Sequence, residues 1–180
     1  MPRYVAFLRA INVGGHVVKM ERLRMLFDQL RFRNVETFIA SGNVLFDSSS
    51  PDTAAMERKI EKQLEKALGY EVITFVRLMS DLAAVVSGHP FVDVESSGHT
   101  LSVGFLTQAP GADAVKVMQR IGTETDAFHM GGREAYWLCR GRTNESKLWG
   151  KALQKALGAP TTFRNMTTVK RLAARVPPPA

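Results

Sequence analysis

The sequence contains one cysteine, Cys139, in 180 residues, which excludes an internal disulfide framework and points to a reducing compartment. It has no apolar run near the ~18 residues needed to cross a membrane. Acids are the minority charge, 17 against 24 Lys+Arg. Neither a GxGxxG fingerprint nor a Walker A loop occurs, so both familiar phosphate-cradling motifs are missing. There is no H-x-x-x-H or C-x-x-C spacing, and His16, His89, His99 and His129 stand apart in the chain. No metal site is therefore expected, and no cofactor. From Met1 to Val5 the chain enters a strand-like pattern at once, leaving no room for the apolar core of a secretory leader. The expectation is a cytoplasmic protein without membrane contact.

The composition that remains is 45% hydrophobic and 23% charged, ordinary for a globular chain. The formal net charge of +7 is unevenly spread: residues 133–175 hold ten cations and two acids, Glu134 and Glu145. Such a zone suits nucleic acid, nucleotides or an anionic surface. A solvated helical face explains it as well, because no block of five or six like charges occurs.

Hydrophobic periodicity gives the elements. Tyr4 to Ile11 reads as a buried strand bounded by Asn12-Val13-Gly14-Gly15. From Lys19, the apolar residues Met20, Leu23, Leu26, Phe27 and Leu30 follow the stripe of an amphipathic helix. Strands at 35–40 and 44–46 flank Ser41-Gly42-Asn43, a hairpin signal. Ser50-Pro51 suggests an N-cap and first helical residue, and the helix buries Met56, Ile60, Leu64 and Leu68 before Gly69 stops it. Its acids Glu57, Glu61 and Glu65 read as an exposed charged face. A strand over 71–78 and a short helix over 80–86 complete a βαββαβ-plus-helix plan, the ferredoxin-like arrangement. The second half repeats the plan, with strands at 101–107, 125–130, 135–140 and 161–164 and helices at 112–121, 147–157 and 168–176.

The halves also echo each other in residues. Lys66-Ala-Leu-Gly69 recurs as Lys155-Ala-Leu-Gly158, Thr74-Phe75 as Thr162-Phe163, Phe7-Leu8 as Phe105-Leu106, and Arg77 has its counterpart in Arg164. Their shared order argues for duplication. The expected class is α+β, two tandem ferredoxin-like halves over 1–88 and 99–176, followed by a proline-rich tail at 177–180. Both faces of the first strand are apolar, so the halves are expected to pack as one unit.

Four stretches, Leu8-Arg-Ala-Ile-Asn-Val-Gly-Gly-His16, Lys19-Met20, Phe38-Ile-Ala-Ser-Gly-Asn-Val44 and Thr161-Thr-Phe-Arg-Asn-Met-Thr-Thr-Val169, together give the chain its resemblance to a known group. It resembles the bacterial domain-of-unknown-function family 1697 over nearly its whole length. That resemblance implies a duplicated ferredoxin-like protein, soluble and cytoplasmic, with no established activity, substrate or cofactor. The closing motif departs from the family pattern Thr-Thr-Arg-Asn-Trp-Asn-Thr-Val: Phe163 is inserted, and Met166 and Thr167 replace the tryptophan and asparagine.

Two clusters are candidates for ligand binding. In the split βαβ plan the first strand lies beside the third. Arg9, Asn12, Gly14 and Gly15 are thereby brought near Ser41, Gly42 and Asn43, with Lys19 at the start of a helix whose free N–H groups favour an anion. Turn chemistry alone also accounts for these glycines and asparagines. The second cluster is Lys147, Arg164, Asn165 and Thr168, where a strand end meets a helix start; capping is the alternative there. RNA recognition by the sheet is not supported, since 43–47 and 134–138 lack the RNP1 pattern, although Tyr136 or Trp137 has the ring to stack a base. Cys139 sits among strand hydrophobes and reads as buried and inert.

The leading functional expectation is a module binding an anionic ligand: a nucleotide, a phosphorylated metabolite or a nucleic-acid backbone. The alternatives are a small-molecule enzyme using Arg9, Lys19 and Arg164 as charge stabilisers between the halves, and a structural or protein-interaction role.

Overall fold

In the computed structural model, which describes residues 1–39 and 42–176, the chain divides into two units, Met1–Asp81 and a second beginning at Leu82. The expectations for Ser41 and for the tail from Pro177 lie outside the described residues.

The first unit runs β1 (Arg3–Leu8), α1 (Met20–Asp28), β2 (Arg33–Thr37), β3 (Asn43–Asp47), α2 (Thr53–Leu68) and β4 (Thr74–Leu78), then a short 3-10 turn at Met79–Asp81. Its strands form one antiparallel sheet in the order β2-β3-β1-β4. Tyr4, Ala6 and Leu8 of β1 pack with Leu23 and Phe27 of α1 and with Met56, Ile60 and Leu64 of α2. Val5 and Phe7, which project from the opposite face, are fully buried too. Strand β1 stops three residues short of the expected Ile11, because Ala10 takes a positive φ of 55° and turns the chain.

Two details of α2 correct the sequence reading. Asp52, not Ser50, is the N-cap, its carboxylate accepting from the Ala55 N–H at 2.9 Å. And the acids are not all solvated. Strand β4 lies at the sheet edge, and its outward N–H groups are met from α2: Glu57 accepts from Val76 at 2.8 Å and Glu61 from Thr74 at 2.9 Å. Glu57 is 5% exposed. Burial lifts the Glu61 carboxyl above its ordinary range. Helical spacing could not distinguish an acid facing water from one facing a strand edge.

The second unit comprises α3 (Leu82–Ser87), β5 (Thr100–Phe105), α4 (Ala112–Arg120), β6 (Asp126–Gly131), β7 (Glu134–Cys139), α5 (Lys151–Leu157), β8 (Thr162–Asn165) and α6 (Met166–Ala173). Its sheet order, β6-β7-β5-β8, reproduces that of the first unit. Trp137 is wholly buried at the centre, packed with Phe128, Leu153 and Leu157, and α3 packs on α6. The duplication extends to register. Arg77 pairs opposite Val5 and Arg164 opposite Val103, and each guanidinium donates to the carbonyl of the residue before it at 3.0 Å. Two four-stranded antiparallel sheets with six helices among the described residues make an α+β fold built of two similar halves.

The halves differ most in their second helix. α2 has 16 residues and α5 only 7. The expected start at Lys147 is not reached, because Gly150 has φ 79° and ψ −124° and the helix begins only after it.

Candidate functional site

The tip of the first unit follows the expected topology. Phe7 of β1 pairs with Asn43 of β3, and the Leu8 N–H donates to the Gly42 carbonyl at 2.8 Å. Gly42 has φ +77°, and a Cβ there would lie 2.9 Å from Ile11 Cγ2 and 3.2 Å from Leu8 Cβ. Only glycine allows so close an approach of the two strands. Asn12 closes the glycine loop by accepting from the Val18 N–H at 2.8 Å. Gly14 and Gly15, with φ of 69° and 84°, sit exposed within that loop. The imidazole of His16 stacks on Tyr70 with centroids 3.8 Å apart, and the Tyr70 hydroxyl donates to the Ile11 carbonyl at 2.9 Å. Lys19 is exposed and extended just before α1, whose first turn has no side-chain cap. Arg9 is half-buried, its N–H bonded to the Ile73 carbonyl at 2.9 Å. Asn43 is 1% exposed and donates its amide to the Phe38 carbonyl at 3.0 Å, which fastens the β2–β3 hairpin.

The second unit contains a cleft of about 460 Å3. One wall is the segment leaving α3. Gly88 lets the chain pass the Tyr136 hydroxyl, since a Cβ there would meet that oxygen at 2.5 Å. His89 and Phe91 follow, their rings stacked with centroids 5.8 Å apart. Residues 93–99 then turn back on themselves, with the Ser97 and His99 N–H groups bonded to the Asp93 and Val94 carbonyls at 3.1 and 3.2 Å. Thr100 and Leu101 of β5 form the floor, and Asn165, Thr167 and Lys170 the facing wall. Asn165 caps α6 by accepting from the Thr167 N–H at 2.9 Å. The Lys170 ammonium reaches across to the Glu95 carboxylate and holds that carboxyl below its usual range through their hydrogen bond and charge.

His89 is the least satisfied group in this wall. Its Nδ1 is buried without a hydrogen-bond partner. Burial, followed by the charges of His129 and Lys170, lowers its basicity, so the ring is neutral at pH 7. His89 and His129 both approach Tyr136, at centroid distances of 5.5 and 6.0 Å. These histidines, 40 positions apart in sequence, are neighbours of one ring. Tyr136 itself donates to the Val85 carbonyl at 2.7 Å, and burial pushes its hydroxyl up to about 12.

The second predicted cluster is only partly gathered. Asn165 lines the cleft, and Thr168 lies on the first turn of α6, half-buried. The Arg164 guanidinium turns toward Thr162 Oγ1 at 2.8 Å and the Phe163 carbonyl at 3.0 Å. Burial brings its pKa down to about 10, which still leaves it charged at neutral pH. Lys147 is exposed in the segment before α5. Tyr136 and Trp137 are 2% and 0% exposed, so neither presents a ring on which a base could stack. Cys139 is a free, buried thiol pushed upward mainly by burial.

Sequence reasoning missed Asp126. Its buried carboxylate accepts from Trp137 Nε1 at 2.7 Å, from the Thr125 and Thr123 hydroxyls at 2.9 and 3.0 Å, and from Ser146 at 3.1 Å. Burial alone would raise this carboxyl, but the four donors outweigh it and hold the group below its ordinary range. The signal was an isolated acid opening a strand of otherwise apolar character. Among the described residues no group of three or more His, Cys, Asp or Glu is placed to hold a metal ion, and no helix is long and apolar enough to cross a membrane.

A duplicated antiparallel α+β fold with a cleft in its second half defines the class, and comparison with known proteins places the chain within it. The chain belongs to the family described as protein of unknown function (DUF1697), whose model matches residues 1–136. The cleft's α6 wall lies beyond that match. Among solved structures, a conserved bacterial protein from Streptococcus pneumoniae is similar at a TM-score of 0.75 and 23% identity, over 97% of each chain. At that identity the likeness concerns the fold. No curated protein matches the chain.

Proposed function

We propose that the protein is a binding module for a small anionic molecule, seated in the cleft of the second unit. The observation that carries this reading is the Lys170–Glu95 pair on the cleft wall. A carboxylate already rests on a lysine in the last turn of α6, so the wall offers an ammonium that accepts an anionic partner. The cleft's volume lies within the ordinary range of small-molecule sites. The basic composition favours the encounter. Catalysis is not part of the reading, because Glu95 is held ionised by Lys170 rather than raised toward the protonated form a general acid needs at neutral pH.

A second seat for the same chemistry is the tip of the first unit, favoured by the uncapped start of α1 beside Lys19 and the exposed Gly14-Gly15 loop. Thermal-shift titration with inorganic phosphate and ribose 5-phosphate separates the two. A ligand at 100 times its Kd stabilises the fold by about 2.7 kcal/mol, or several degrees. The expected result is a shift in the wild type and in Arg9→Ala that disappears in Lys170→Ala. Loss in Arg9→Ala alone would move the site to the first unit, and no shift in the wild type would overturn the anion reading.

A further inference from the structure

We propose that the anion taken by the second-unit cleft is an aromatic phosphate of the nucleoside monophosphate class, its phosphate displacing the Glu95 carboxylate from Lys170 and its base lying on Phe91. This rests on the anion-binding reading above and narrows it.

Three features of the cleft argue for a ligand with a planar, polar body and a charged end. The charged end has a place marked by the protein itself. The Glu95 side chain is 80% exposed and Lys170 46%, so the pair is solvated and separable, and an exposed ion pair of this kind contributes little to hold the segment shut. A phosphate offers more negative charge and more acceptor oxygens than a carboxylate, and it competes for Lys170 on favourable terms.

The planar body has a matching surface. Phe91 is partly exposed on the cleft wall, backed by the His89 ring at an interplanar angle of 26°. A partly exposed aromatic ring with a second ring stacked beside it offers a stacking surface, and stacking tolerates any base. His89 is neutral at pH 7 for the reasons given above, so it supplies a surface without a competing charge.

The polar body has partners on the cleft lining. The hydroxyls of Ser96 and Thr100, both on that lining, are donors and acceptors suited to a sugar or a base edge. A purely inorganic anion would leave both the ring and these groups without a role.

Isothermal titration of the intact protein tests this with adenosine 5′-monophosphate, ribose 5-phosphate and adenosine as probes. The variants are Lys170→Ala, Glu95→Gln and Phe91→Leu, the last chosen to keep apolar bulk while removing the aromatic face. Thermal melts establish that each is folded. Adenosine 5′-monophosphate should bind roughly ten-fold or more tightly than ribose 5-phosphate. Phe91→Leu should abolish that advantage and leave ribose 5-phosphate unchanged. Glu95→Gln should tighten both phosphates by about two- to five-fold, and Lys170→Ala should weaken both. Equal binding of the two phosphates, or indifference to Phe91→Leu, overturns the nucleotide assignment while leaving the anion site standing. Weaker phosphate binding in Glu95→Gln overturns the displacement. Silence of both phosphates on the wild type removes both proposals together.

Discussion

At the scale of single residues, Asp126 and Gly42 show why a side chain's worth depends on what folds around it. Asp126 is one carboxylate serving Trp137, two threonines and Ser146, and so ties the segment before α5 to the sheet. Asp126→Ala leaves the buried Trp137 N–H without a partner and should cost about 2–4 kcal/mol in urea denaturation followed by tryptophan fluorescence. The pH dependence has a definite sign. The folded pKa of Asp126 lies below its unfolded value, so its stabilisation is complete above pH ~4 and is lost as pH falls through the folded value. Asp47 in the first unit follows the same rule: burial raises its carboxyl, but bonds from Asn34 and Arg3 outweigh this and lower it. Melting temperatures measured from pH 6 down to pH 3 should therefore decline in the wild type, and Asp126→Asn should show a shallower decline. Gly42→Ala drives a Cβ onto Ile11 and Leu8 at positive φ, whereas Gly98→Ala meets positive φ but open space. The first should be the costlier by roughly 1 kcal/mol in the same assay.

At the scale of elements, the edge strand β4 and helix α2 are coupled by carboxylates, not only by apolar contact. An unpaired strand edge invites further pairing, and Glu57 and Glu61 occupy the N–H groups of Val76 and Thr74 that would otherwise offer it. Glu57→Ala should destabilise the fold by about 1–3 kcal/mol, because a buried N–H loses its acceptor. Glu65→Ala, one turn further on and exposed, should stay within about 0.5 kcal/mol. Equal effects would contradict the edge-capping role. The start of α2 gives a similar contrast. Asp52→Ala removes the side-chain acceptor for the Ala55 N–H and should lower stability by about 1 kcal/mol, while Ser50→Ala, upstream of the cap, should change it less. Guanidinium titrations of the two variants decide the point.

At the scale of the whole molecule, the net charge of +7 sets how binding responds to salt. A polynucleotide partner would give log K falling with log salt at about 0.9 per neutralised duplex phosphate. A small anion meeting one lysine should give a far shallower slope, and that is the expectation for adenosine 5′-monophosphate titrated between low and moderate salt. A steep slope for short RNA, with tighter binding than the mononucleotide, would shift the reading to nucleic acid.

The order of elements, both hairpins, the αL glycines that end α2 and α5, and the duplication were legible in the sequence, because each rests on local periodicity or a turn residue that acts within a few positions. The neighbourhood of Gly42 and the loop after β1 was legible as well, since the split βαβ topology leaves one arrangement for those ends. The cleft was not. Only Asn165 among its lining residues was a ligand-binding candidate beforehand, because the cleft is made where the segment after α3 folds back beside α6, and no pattern joins Glu95 to Lys170 across 75 positions. The same reason hid the meeting of His89 and His129 at the Tyr136 ring and the four donors around Asp126. Repeating local signals determined the two sheets; contacts between residues far apart in the chain decided which acids were buried, which arginines turned inward, and which residues line the cleft of the second unit.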